Sequence, residues 1–158
     1  MYKKLLLIFL LTVFTHSIAF SQEIPVKVET LVKISTSDVK MQEGDDIIFV
    51  VADDVFLNGK LYIKKGTNAS GIITSLVNNG FTCQEASIYA ENFKVKTVKG
   101  VTVKLSGIVY KKGRNHWMLT QFIPTEMTVG NFIRGGEVEI MPQKDVFTLY
   151  LGVKADDL

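Results

Sequence analysis

The chain has 158 residues, 18 Lys+Arg against 16 Asp+Glu, two histidines and one cysteine. That length supplies one domain with a full hydrophobic core. The first 21 positions hold Lys3, Lys4 and no acid, so residues 22–158 are formally neutral and offer a nucleic acid no electrostatic hold. A single cysteine excludes an internal disulfide, and with so few histidines a closed zinc site would need several carboxylates.

The N-terminus reads as an export signal. Lys3-Lys4 precedes the apolar run Leu5 to Phe14, interrupted only by Thr12, and Ala19-Phe20-Ser21 puts small residues at the two positions a signal peptidase reads. Cleavage after Ser21 is expected, giving a signal peptide over 1–21 and a single β domain over 22–158. A membrane anchor needs about 20 predominantly apolar residues, and Thr15-His16-Ser17 breaks the run too early. No later stretch is long enough to cross a bilayer as a helix, so the expected location is periplasmic or secreted. In that compartment Cys83 either packs as a small apolar residue, the favoured reading, or pairs with another chain.

Beyond the leader, strands follow one another. Val26, Val28, Thr30, Val32 and Ile34 alternate with Lys27, Glu29, Leu31 and Lys33, the period of a half-buried strand. Ile47 to Val51 is apolar throughout and bounded by acids, which predicts a strand covered on both faces. Asn58-Gly59 signals a two-residue hairpin, because both central positions of a type I′ turn need positive φ. Its arms are Val55-Phe56-Leu57 and Leu61-Tyr62-Ile63. Another strand is expected from Gly71 to Val77, closed by Asn78-Asn79-Gly80.

The stretch from residue 82 to 93 supports two readings. Thr82 and Glu85 fit a helix capping box, followed by Ala86, Tyr89, Ala90 and Phe93 at helical spacing. Ala86, Ile88 and Ala90 also alternate as in a strand, and strands flank the segment at short intervals. A strand is therefore favoured, with a short helix as the alternative. Val101, Val103 and Leu105 then alternate with polar residues, and Lys111-Lys112-Gly113-Arg114-Asn115 reads as a solvated loop. Phe147, Leu149, Leu151 and Val153 share one face of a closing strand.

Chemistry is sparse. Gly66 and Gly71, separated by four residues, suggest a phosphate loop, but Ile72-Ile73 stands where a Walker motif has Lys and Ser or Thr, and a strand follows instead of a helix. These glycines are better read as backbone permissions: positive φ at Gly66 and close packing at Gly71. Nucleophilic catalysis would have to bring Cys83 to His116, the one histidine outside the leader, and no local signature surrounds either. The pairs Asp45-Asp46, Asp53-Asp54 and Asp156-Asp157 lack the spacing of a calcium loop and suit strand ends. Tyr89, Tyr110, Trp117 and Tyr150 are candidates for aromatic surface facing a glycan or protein, or else for core. Arg134-Gly135-Gly136-Glu137 fits either a small anion nest or a hairpin turn. Asn68-Ala69-Ser70 is a glycosylation triplet, meaningful only in a eukaryotic host.

Gly44-Asp45, Asp54-Val55, Ile63, Lys65-Gly66-Thr67, Gly71, Gly100 and Leu105-Ser106-Gly107 follow one another in the order seen in exported bacterial cell-envelope β domains. Over Gly44 to Gly107 the chain is similar, more distantly, to the C-terminal β-barrel domain of the outer-membrane channel subunit of conjugation and type IV secretion systems. The resemblance implies an envelope β domain that assembles with protein partners and in which these residues are structural. That family's membrane helix and helical insertion are not visible in the sequence, so no channel function carries over.

The expectation is an all-β domain, a single small barrel or strongly twisted β-sandwich of about eight to ten strands. Its expected role is non-catalytic: an exported cell-envelope protein acting through protein interaction or assembly. The alternatives are a glycan or small-molecule binding module and, behind it, a carboxylate-dependent hydrolase. No residue is assigned a catalytic, cofactor-binding or metal-binding role, and no cofactor is expected.

Overall fold

The structure, a computed structural model, describes residues 22–37, 40–80, 83–114 and 134–153. Residues 1–21, on which the expected export signal falls, Thr82, His116, Trp117 and Asp156-Asp157 lie outside the described residues. Alternation in the sequence produces β1 (Gln22–Glu29), in which Val26 and Val28 point into the core, and this strand pairs along its length with β11 (Val146–Val153). The strand ends at Glu29 instead of running through Ile34. Thr30 turns the chain, its Oγ1 accepting from the Val32 N–H at 3.3 Å, and Leu31 and Val32 are left exposed. Ile34 returns to the core on the short β2 (Ile34–Ser35), which pairs with β10 (Glu139–Ile140).

The apolar run forms β3 (Asp46–Val51), but Ile48 is 55% exposed. Only its last two residues, Val50 and Val51, are covered on both faces. Asn58 and Gly59 have φ of 52° and 73°, so the hairpin between β4 (Val55–Leu57) and β5 (Lys60–Ile63) has the expected turn. The hairpin is tied down where the Val98 N–H donates to the Tyr62 carbonyl at 3.0 Å.

Next, β6 (Asn68–Val77) starts three residues before Gly71, and the ambiguous segment resolves as a strand, β7 (Ser87–Lys96). There is no helix among the described residues. Two short strands, β8 (Thr102–Leu105) and β9 (Val109–Lys112), pair with the two halves of β7. They act as one edge strand bent at Gly107, whose φ is 117°. Lys111 and Lys112 thus belong to a strand, not to a solvated loop.

The main sheet runs β11-β1-β3-β6-β7-β8, antiparallel throughout, with β9 beside β7. It curls until its two edges meet at Ser106 and Tyr150, which exchange both backbone hydrogen bonds at 2.8 Å. The result is a small, nearly closed barrel. Inside it Phe49 meets Phe93 and Phe147 edge to face, with ring centroids 5.7 and 5.8 Å apart. Such pairs add about 0.5–1.5 kcal/mol each beyond the area they bury.

Candidate functional site

The glycine loop is already satisfied by the protein itself. The Lys65 N–H donates to Asp54 Oδ1 at 2.7 Å, the Gly66 N–H to the Val51 carbonyl at 2.8 Å, and the Thr67 N–H to the Lys64 carbonyl at 3.1 Å. With its amides committed, the loop has nothing to cradle a phosphate. Gly66 has φ of 80°, as a turn there requires, and Gly71 lies against the Phe93 ring.

The Arg134-Gly135-Gly136 segment is neither a nest nor a hairpin. Gly135 donates to the Gly80 carbonyl and Gly136 to the Arg114 carbonyl, both at 3.1 Å, while Gly136 accepts from the Ala86 N–H at 3.1 Å. Three backbones cross here. A β-carbon on Gly135 would lie 1.9 Å from the Gln84 carbonyl oxygen, and one on Gly113 would lie 2.1 Å from that of Gly136, so these glycines serve close approach.

The acids also serve the fold. Asp45 accepts from the Gln42 N–H at 2.8 Å, Asp54 holds the Lys65 amide, and Asp53 pairs with Lys27 at 3.3 Å. Among the described residues no three His, Cys, Asp or Glu side chains gather as a metal site would require. Cys83 is a free thiol and partly exposed, where burial was the favoured expectation; its φ of 61° places it in a turn.

What the barrel leaves open is its seam. Beyond the Ser106–Tyr150 bridge, β9 and β11 form no ladder with each other. Gly107 abuts Leu149, its β-carbon position 3.2 Å from Leu149 Cδ2, and farther along Lys111 reaches across to Asp145. Between these two contacts lie Ile108, Val109 and Tyr110 on one side and Val146, Phe147 and Thr148 on the other. Val109 and Phe147 turn inward; Ile108, Tyr110 and Val146 are each about half exposed, and Tyr150 is 40% exposed. Tyr89 stands directly across from Tyr110 on β7, their rings 5.9 Å apart and tilted by 58°. Three of the four aromatic candidates thus border one exposed strip, and the fourth, Trp117, lies outside the described residues.

Electrostatics pin the lower end of this strip. The Lys111 ammonium donates to Asp145 and to the Glu139 carbonyl, at 2.6 Å for the latter, and Asp145 also accepts from the Met141 N–H at 2.7 Å. Burial raises the pKa of Asp145, but these two donors, with Lys144 nearby, outweigh it and hold the carboxyl below its ordinary value. At the following position of β9 the Glu85 carboxylate, by hydrogen bond and charge, raises the pKa of Lys112. Alternation of the sequence revealed the aromatics one by one. That the seam gathers them depends on where the sheet closes, which no local pattern carries.

No helix among the described residues is long and apolar enough to cross a membrane. No family model matches the chain, and neither a curated protein nor a solved structure resembles it significantly.

Proposed function

We propose that this is a non-catalytic, exported cell-envelope protein that works by binding another protein along the seam between β9 and β11. The observation that supports it is the row Ile108, Tyr110, Val146 and Tyr150, large apolar side chains left exposed beside two strand edges that do not pair with each other. Exposed edges and contiguous apolar side chains favour association, and a partner offering an extended apolar segment would cover both. Tyrosine also supplies large contact area at small entropic cost. Export is supported by the leader-like N-terminus, and an envelope partner fits the resemblance carried by Gly44 to Gly107.

A second reading, a glycan-binding module, is favoured by the Tyr89–Tyr110 pair alone, since stacked sugar faces suit exposed aromatic rings.

A photo-crosslinking residue placed in turn at Ile108, Tyr110 and Val146 of the full chain in its native envelope tests the docking proposal. All three probes should capture one and the same partner segment, identified by mass spectrometry, whereas a probe at Phe56 on the hairpin should not. Absence of adducts at the seam, in a chain that light scattering shows to be a lone monomer, would remove the reading.

A further inference from the structure

The pairing of four strands sets Ile48, Ser70, Lys94 and Lys104 in one transverse row across β3, β6, β7 and β8 on the outer wall of the barrel. The adjoining row places Lys96 directly opposite Thr102. Lys94, Lys96 and Lys104 are all exposed, and among the described residues none of them has a carboxylate within 4 Å. Asp46 and Glu91 lie one row away, each opposite Ile72. A broad concavity of about 650 Å³ lies on this wall, with Ile48, Asn68, Ser70, Lys94, Lys96 and Thr102 in its lining, and Lys104, opposite Lys94, stands beside it.

Lys94 and Lys104 face each other directly, an arrangement that costs stability because like charges then sit about 5 Å apart at their β-carbons. Blunting a sheet edge explains a lysine on β8, but not Lys94 and Lys96, since β7 is paired on both sides. Nor does composition explain the cluster, because residues 22–158 balance acid and base.

We propose that this wall is a binding surface for an anionic polysaccharide, with Lys94, Lys96 and Lys104 meeting its charges and Ser70, Thr102 and Asn68 its hydroxyls. Two features of the wall select that class of ligand. A protein interface would want buried aromatic or apolar anchors, and Ile48 is the one large apolar side chain in the row. A single-stranded nucleic acid would want aromatic platforms for its bases, and this row has none. Lysines alternating with neutral hydrogen-bonding side chains suit a ligand that carries both charge and hydroxyls.

The probes are dextran sulfate, uncharged dextran and polyaspartate, titrated into the purified protein by calorimetry at several salt concentrations. Dextran sulfate should bind, more weakly as salt rises, and dextran should not. Lys94→Gln combined with Lys104→Gln should weaken binding at least tenfold, while Lys112→Gln, opposite Ser87 at the far end of β7, should leave it unchanged. Circular dichroism of both variants checks that the barrel is intact, and Lys96→Gln alone supplies a milder variant should the double substitution unfold. Three outcomes would overturn the proposal: no binding of dextran sulfate, an equal loss with Lys112→Gln, or polyaspartate binding as tightly, which would point to an acidic protein instead.

Discussion

Gly71 and Phe93 occupy facing positions on β6 and β7 so closely that a β-carbon on Gly71 would lie 2.5 Å from the Phe93 ring. Phe93 is fully buried and packs edge to face on Phe49, so the ring has no room to retreat. Gly71→Ala should therefore destabilise the barrel by about 1–3 kcal/mol, as overpacking does. Urea unfolding measures it, and combining the change with Phe93→Leu should cost less than the sum of the two single substitutions.

The hairpin turn makes a smaller claim. With φ of 73° and open space around its α-carbon, Gly59 is needed for conformation alone. Gly59→Ala should cost about 1 kcal/mol, whereas Gly59→Asn, which tolerates positive φ better, should cost less. Thermal denaturation of the two variants separates them.

Asp145 should dominate the local response to acid. Its folded pKa lies below the unfolded value, so its contribution is present above the unfolded pKa and is lost as pH falls through the folded one. Asp145→Asn should lower stability at pH 7 by about 1.5–3 kcal/mol, the range for hydrogen bonds to a charged group. It should also flatten the fall in stability between about pH 5 and pH 2. Denaturant titrations across that range would show both effects, and an unchanged acid limb would mean that the Lys111–Asp145 pair is not formed.

Replacing Lys104 by Glu turns the repulsion facing Lys94 into attraction. The variant should gain about 0.5 kcal/mol of stability at low salt and lose that gain at high salt. If the wall serves an anionic ligand, the same substitution should abolish binding, so stability and binding would move in opposite directions.

Where one turn or one alternation sufficed, the residues announced the structure. Asn58-Gly59 specified its hairpin, and Phe147, Leu149 and Leu151 point inward as their spacing implied. Local pattern failed where a side chain or a neighbouring backbone intervened. The period of Val26 to Ile34 continues past Thr30, yet the Thr30 hydroxyl bonds to the Val32 backbone and ends the strand. The run Ile47 to Val51 is uniformly apolar, but Ile48 faces the open wall because nothing covers that part of β3. Gly135-Gly136 resembled a turn because close crossing of backbones and chain reversal ask for the same residue.

The sequence by itself determined an all-β chain with its reversal points, since alternation and positive-φ residues act within a few positions of themselves. It also limited the chemistry, through one cysteine and a single histidine beyond residue 21. Only the tertiary structure decided that the sheet closes at Ser106 and Tyr150, that apolar side chains gather along the open seam below, and that Lys94 faces Lys104. Each of these depends on register between strands distant in the chain, and register is set by the summed packing of the whole barrel, not by any segment of it.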